Sequence, residues 1–347
     1  MPVERNYNFD LLRLMGLMII MIAHSSPPGW IFQLRNFGTP LLVIGSALTY
    51  SYIFRDKPLV IKRFIKKRVS RLILPLWLFL TFFFTFFLVM SPFFEDFPFT
   101  SYEVITSYFL FDGIGFVWVF KIYLFLAFVT PLAIKLNRQV EKNSTYLIIL
   151  LIVYFMYELL VVFLREIAGD AQSILINKFL FIIIPYSLLF FYGYRLEKIS
   201  NKAVFYFSLF SLFIFIYLLI SKYIELGEFV PTQDFKYPPT LYYFSYAFFC
   251  INTIYLIFVR HLNAGFYISK WVVWLSSNSL WIYLWHIAAF YIWEFGLPDA
   301  DGHVYLFLYK VAFLLLFSVM MVFIQNIIIK ILLNVSPDKK RVISLFF

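Results

Sequence analysis

Charge and cysteine are scarce in this chain, and each shortage excludes a class of protein. Charged residues make up 14% of 347 residues, whereas soluble domains average about 25%. Hydrophobic residues reach 63% and mean hydropathy is +0.85, so composition indicates a multi-pass membrane protein. The single cysteine, Cys250, excludes an internal disulfide and a thiolate metal cluster.

Two kinds of motif are also missing. No stretch carries His and carboxylate residues at the spacing of a helical metal site. No glycine-rich phosphate-binding motif occurs, so a nucleotide-driven pump is unsupported. The sequence therefore predicts no metal and no permanently bound cofactor.

Long apolar runs predict an all-α, polytopic membrane helix bundle, with one integral-membrane domain over residues 1–347. About ten spans are expected, near residues 9–26, 37–53, 72–90, 113–134, 144–164, 177–195, 203–220, 238–258, 271–293 and 304–333. One side of this layout carries 20 lysine and arginine residues and the other carries 5. Basic loops face the cytoplasm, so both termini are predicted there, and this pattern explains the net charge of +10 without nucleic acid.

The first span contains two ionisable residues, and its apolar part is so short that at least one of them must lie near the hydrocarbon. Only ten residues separate Arg13 from His24, and a span needs about 20. Eleven helical steps place both on one face, about 16 Å apart along the axis. Asp10, three residues before Arg13, can pair with it. The alternative is an arginine that snorkels and a histidine that caps the far end.

Two further stretches carry polar residues on one helix face. Arg68 and Arg71 are three residues apart, which suits phosphate binding, although attraction to lipid headgroups explains basic residues here equally well. In the ninth span, Ser279, Tyr283 and His286 are separated by four and three residues. They therefore share a face, either as a functional site or as hydrogen-bonded packing residues.

Together these residues resemble acyltransferase family 3, bacterial membrane proteins that O-acylate cell-surface carbohydrate. Asp10-x-x-Arg13 followed by ten residues and His24 matches the family's first motif. Arg68-x-x-Arg71 matches its second, and the stretch from Ser279 to His286 matches a third. The fourth span departs from the pattern, because only Trp118 of the family's usual motif is kept.

The resemblance implies transfer of an acyl group, expected to be acetyl, from cytoplasmic acyl-CoA to an extracytoplasmic glycan across the bacterial cytoplasmic membrane. Catalytic residues would be His24, Asp10 and Arg13, with His24 as general base or acyl carrier. The donor would be bound by Arg13, Arg68 and Arg71, and the acceptor by Trp118, Ser279, Tyr283 and His286. A transporter of polysaccharide or of a small acylated molecule is the alternative, and a non-catalytic scaffold is a third reading.

Overall fold

The computed structural model describes residues 5–93, 96–111, 113–167, 180–262, 269–296 and 304–335. Within these ranges the chain forms helices and no strands. The α-helices are α1 (Tyr7–Ala23), α2 (Gly29–Leu34), α3 (Gly38–Ile53), α4 (Ile61–Val89), α5 (Ser101–Tyr108), α6 (Trp118–Gln139), α7 (Asn143–Ile167), α8 (Phe181–Arg195), α9 (Asn201–Leu226), α10 (Leu241–Ile254), α11 (Lys270–Ser277), α12 (Ser279–Gly296) and α13 (Val304–Val335). A π-helical segment, Tyr255–His261, continues α10, and 3₁₀ turns lie at Ser91–Phe93, Leu196–Lys198 and Thr232–Phe235.

The helical character predicted from the apolar runs is confirmed. Six described helical segments are long and apolar enough to cross a membrane, by length and composition. They are Ile61–Val89, Trp118–Gln139, Asn143–Leu164, Asn201–Leu226, Leu241–His261 and Val304–Val335. The count of ten spans and the cytoplasmic termini stay predictions. Lys178 and the tail residues Lys339, Lys340 and Arg341, which entered the charge count, lie outside the described residues.

Two predicted boundaries are wrong. The basic stretch before residue 72 is the first part of α4, which begins at Ile61. Lysine and arginine are good helix formers, and neither glycine nor proline interrupts the chain between Ile61 and Pro75. The ninth predicted span consists of two helices, α11 and α12, with Asn278 between them.

The chain divides into two compact units. The first comprises Met1–Ile20, Gly29–Leu59 and Val129–Ser276, and the second comprises Met21–Pro28, Val60–Phe128 and Ser277–Phe347. Glycines let helices of the first unit approach closely, as small residues do in membrane bundles. A Cβ added to Gly16 would lie 2.9 Å from Leu42 Cγ, and one added to Gly45 would lie 2.7 Å from Arg13 Cγ.

Candidate functional site

His24 and His286 form a hydrogen-bonded pair in the second unit. His24 Nδ1 lies 2.9 Å from His286 Nε2, and the rings are stacked with 5.2 Å between centroids. His24 is the first residue after α1, where its N–H donates to the Met21 carbonyl at 3.1 Å. His286 lies within α12 and is fully buried.

The second hydrogen bond of His286 determines which nitrogens of the pair carry protons. His286 Nδ1 contacts the Tyr283 carbonyl oxygen, which only accepts hydrogen bonds, so Nδ1 is the protonated nitrogen of a neutral His286. Its Nε2 is then an acceptor, and the Nδ1–H of His24 donates to it. In a neutral His24 the unprotonated nitrogen is therefore Nε2, the arrangement that a general base or a nucleophile needs.

A loop between α5 and α6 places an aromatic side chain against His24. The ring of Phe116 meets the ring of His24 edge-on, with 4.6 Å between centroids. The Phe116 carbonyl accepts from the Tyr283 hydroxyl at 2.8 Å, and the Phe111 carbonyl accepts from Lys121 Nζ at 3.0 Å. The loop is thus fastened by side chains on α6 and α12, and it holds Phe116 in place.

The same loop requires glycine at its closest approach to α5. Gly113 has a φ of +64°, and a Cβ there would lie 2.4 Å from Ser107 Oγ. Its N–H donates to Thr106 Oγ1 at 2.9 Å, and the next N–H donates to Ser107 Oγ at 3.0 Å. Any other residue would push the loop off α5.

A buried cation lies beside the residues that follow His24. Lys310 Nζ donates to Ser26 Oγ at 3.1 Å and forms an ion pair with Glu294. It also lies 5.0 Å from the centroid of the Phe290 ring, and that ring lies 6.4 Å from the His24 ring. Lys310 and His24 therefore border the same aromatic side chain.

Asp10 and Arg13 belong to the first unit. Asp10 Oδ1 lies 3.7 Å from Arg13 Nη1, in agreement with their spacing of three, and Asp10 also pairs with Arg5, which was not predicted. The Arg13 stem packs against Gly45 of α3. Asp10 thus positions Arg13 within α1.

Arg68 and Arg71 lie on one face of α4 in the second unit. Arg68 is half-buried and lies over the Phe64 ring, with 5.6 Å from Cζ to the centroid. Arg71 is exposed. Both arginine side chains are therefore at least partly exposed.

The remaining predicted residues, Trp118 and Ser279, stand at the starts of two helices. Trp118 is the first residue of α6, two residues after Phe116, whose ring contacts His24. Ser279 begins α12, about 10 Å along the axis from His286, and takes no part in the hydrogen bonds that join His24, His286 and Tyr283.

Sequence reasoning did not single out Phe116, Ser26, Glu294 or the role of Lys310. A lysine inside a long apolar helix is itself a signal, because such residues are rare in membranes and usually functional. The other three carry no comparable signal. The sequence leaves the roles of Lys121 and Glu158 open. In the structure Lys121 donates to a loop carbonyl, and Glu158 accepts from the Tyr154 hydroxyl at 2.5 Å.

Comparison with known families gives one match over nearly the whole chain. A family model described as an acyltransferase domain, that of acyltransferase family 3, matches residues 6–326. The resemblance drawn from the three motifs is confirmed. No curated protein and no solved structure matches the chain.

Proposed function

Because this chain belongs to acyltransferase family 3 and is a multi-pass membrane protein, we propose that it is an O-acyltransferase that moves an acetyl group from acetyl-CoA to a hydroxyl of an extracytoplasmic glycan in the bacterial cytoplasmic membrane. The observation that carries the proposal is the hydrogen bond from His24 Nδ1 to His286 Nε2. Together with the contact of His286 Nδ1 with the Tyr283 carbonyl, it supports the tautomer in which His24 presents a basic Nε2.

In the proposed reaction His24 acts as general base. Its Nε2 takes the proton from the acceptor hydroxyl while the hydroxyl oxygen bonds to the thioester carbonyl carbon. The carbon–sulfur bond then breaks, and the CoA thiolate takes the proton back from His24. While His24 is an imidazolium its hydrogen bond to neutral His286 becomes charge-assisted and stronger, so His286 stabilises the transition state as a positioning residue.

Lys310 is proposed to stabilise the oxyanion that forms when the hydroxyl adds to the thioester. Its ammonium is fully buried, where a fixed charge is worth more than in water. The hydrogen bond to Ser26 ties it to the segment that carries His24. Removing one oxyanion donor costs about 10²- to 10³-fold in turnover in characterised enzymes.

Arg68 and Arg71 are proposed to bind the phosphates of the donor. Two guanidinium groups on one helix face can form charge-assisted hydrogen bonds with phosphate oxygens. Arg13, positioned by Asp10, stays a predicted donor-binding residue.

The decisive experiment gives the purified protein, in lipid nanodiscs, labelled acetyl-CoA and a glycan acceptor. We expect acetyl transfer by the wild-type protein. In His24→Ala the rate of transfer should fall about 10²- to 10⁴-fold, which is the usual contribution of a general base. His261→Ala is the matched control, because His261 is an exposed histidine in the π-helical segment. Full activity in His24→Ala would refute the catalytic assignment.

The same preparation distinguishes a base from an acyl carrier. An acyl carrier would retain label on the protein when acetyl-CoA is added without acceptor, and the label would be absent in His24→Ala. We expect no label on the protein, because direct attack needs only the base.

A second experiment tests donor binding. Replacing Arg68 and Arg71 together with Gln should raise the KM for acetyl-CoA at least about tenfold, since hydrogen bonds to charged groups contribute about 1.5–3 kcal/mol each. The double variant Lys62→Gln/Lys66→Gln removes the same charge from the exposed start of α4. Equal effects of both double variants would mean that these charges serve only the interaction with lipid.

A further inference from the structure

Two loops of the first unit are fastened side by side. One connects α2 to α3, and the other is the 3₁₀ turn Thr232–Phe235 with the residues after it. Asn36 Nδ2 donates to Thr232 Oγ1 at 2.9 Å, and the Thr232 N–H donates to Gln33 Oε1 at 3.1 Å. These bonds hold the polar residues of both loops in one place.

The joined loops bring two cations together. Lys236 is 7% exposed, and burial together with the nearby Arg35 charge lowers its pKa to about 7. Arg35 Cζ lies 3.8 Å over the Phe32 ring centroid, and among the described residues Arg35 has no carboxylate partner. Burying like charges together is costly unless an anion compensates them.

Polar atoms of the same loops are buried with hydrogen-bonding capacity unused. Within the part of the chain that the structure describes, Arg35 Nε is a donor without a partner, and Asn36 Oδ1 and Gln233 Oε1 are acceptors without partners. Leaving such atoms without a partner is destabilising, and buried polar groups in folded proteins are normally satisfied. The donor therefore belongs to a cation, and the two other atoms can only accept hydrogen bonds.

A ligand that satisfies this set must carry an oxyanion for the cations and hydroxyl donors for the two amide oxygens. That combination is the chemistry of an acidic sugar, which has a carboxylate or phosphate next to hydroxyl groups. Tyr237, which follows Lys236 and is 48% exposed, supplies an aromatic surface at the edge of the cluster. A phospholipid headgroup offers the oxyanion, and its diester form lacks the full set of hydroxyls.

We propose that the loop pair around Arg35, Asn36, Gln233 and Lys236 is a binding site for an acidic sugar residue. Resting on the proposed function, this identifies the acceptor as an anionic glycan. The site is built entirely from residues of the first unit.

The test measures binding of a glucuronate-containing oligosaccharide to the purified protein in phosphatidylcholine nanodiscs. We expect it to bind at least about tenfold more tightly than the matched neutral glucose oligosaccharide, which corresponds to about 1.4 kcal/mol of binding free energy. Arg35→Gln and Lys236→Met should each abolish that preference. Equal binding of the two oligosaccharides, or an unchanged preference in both variants, would overturn the proposal.

Two controls separate the site from folding and from lipid. Lys222→Met removes a nearby cation that lies over the Phe235 ring, 4.0 Å from its centroid, and should keep the preference. Lys236→Met should leave the thermal midpoint without ligand unchanged or raised, because it removes a charge that burial disfavours. A site occupied by phosphatidylglycerol, with no oligosaccharide binding in phosphatidylcholine, would refute the sugar assignment.

The acyl-transfer assay separates this proposal from the proposed function. Equal transfer to acidic and neutral acceptors would refute the acidic-sugar site while the O-acyltransferase assignment stands. Selective binding of the acidic oligosaccharide without any transfer would support the site and refute the assignment.

Discussion

The hydrogen bond between His24 and His286 allows a quantitative prediction. Replacing His286 with Leu places an apolar side chain in a fully buried position and removes the acceptor 2.9 Å from His24 Nδ1. In the transition state that acceptor faces an imidazolium, and hydrogen bonds to charged groups contribute about 1.5–3 kcal/mol. At 1.36 kcal/mol per factor of ten, kcat should fall about 10- to 150-fold.

Two further measurements distinguish positioning from packing. His286→Gln keeps an acceptor at a similar distance along the side chain, so it should recover most of the lost kcat. In a His24→Ala background, His286→Leu should cost nothing further, because its effect passes through His24. KM for both substrates should stay near the wild-type value in every variant.

A packing residue would behave differently. His286→Leu would then lower activity by the same factor with or without His24, and His286→Gln would be no better than Leu. Either result, measured in nanodiscs at matched protein folding, would refute the role assigned to His286.

The other predictions concern the buried cation and the first helix. Lys310→Met should lower kcat by about 10²- to 10³-fold. It should cost less stability than Glu294→Gln, because Glu294 is 38% exposed and Lys310 is 0% exposed, and an unpaired buried charge is the more costly. A purely structural pair would instead give the larger activity loss with Glu294→Gln in the same assays. Gly45→Ala should raise the KM for acetyl-CoA by displacing Arg13, whose Cγ would lie 2.7 Å from the new Cβ. Gly16→Ala should cost comparable stability, about 1–3 kcal/mol, without that change in KM, and equal kinetics in the two glycine variants would count against donor binding by Arg13.

The sequence predicted the helices because long apolar runs have one stable form in a bilayer. It misplaced the start of α4 because charge was taken to end a helix, whereas charge ends only the apolar part of one. The basic turns from Ile61 onwards keep helical hydrogen bonding beyond the hydrophobic run. Apolar length therefore predicts spans and cannot predict helix ends.

The candidate site was predictable only in pieces. The spacing of Tyr283 and His286 places both on one face of α12, but the partner of that face, His24, lies 262 residues away in sequence. No local pattern specifies a contact of that kind. Lys310 was predictable as a buried functional residue, because an isolated lysine in an apolar helix must find polar partners, although Ser26 and Glu294 could not be named.

The net charge around the histidine pair of the second unit favours a neutral His286 as the partner of His24. Before reaction the ion pair beside the histidines, Lys310 with Glu294, carries no net charge. Proton transfer to His24 creates a cation at the same moment as the oxyanion forms, so no net charge develops where solvation is poor. A carboxylate in the place of His286 would break that balance in the resting state, because the pair would then carry a buried negative charge before any proton moved. His286→Glu should therefore be less active than His286→Gln, and activity equal to or above that of the Gln variant would contradict a neutral relay.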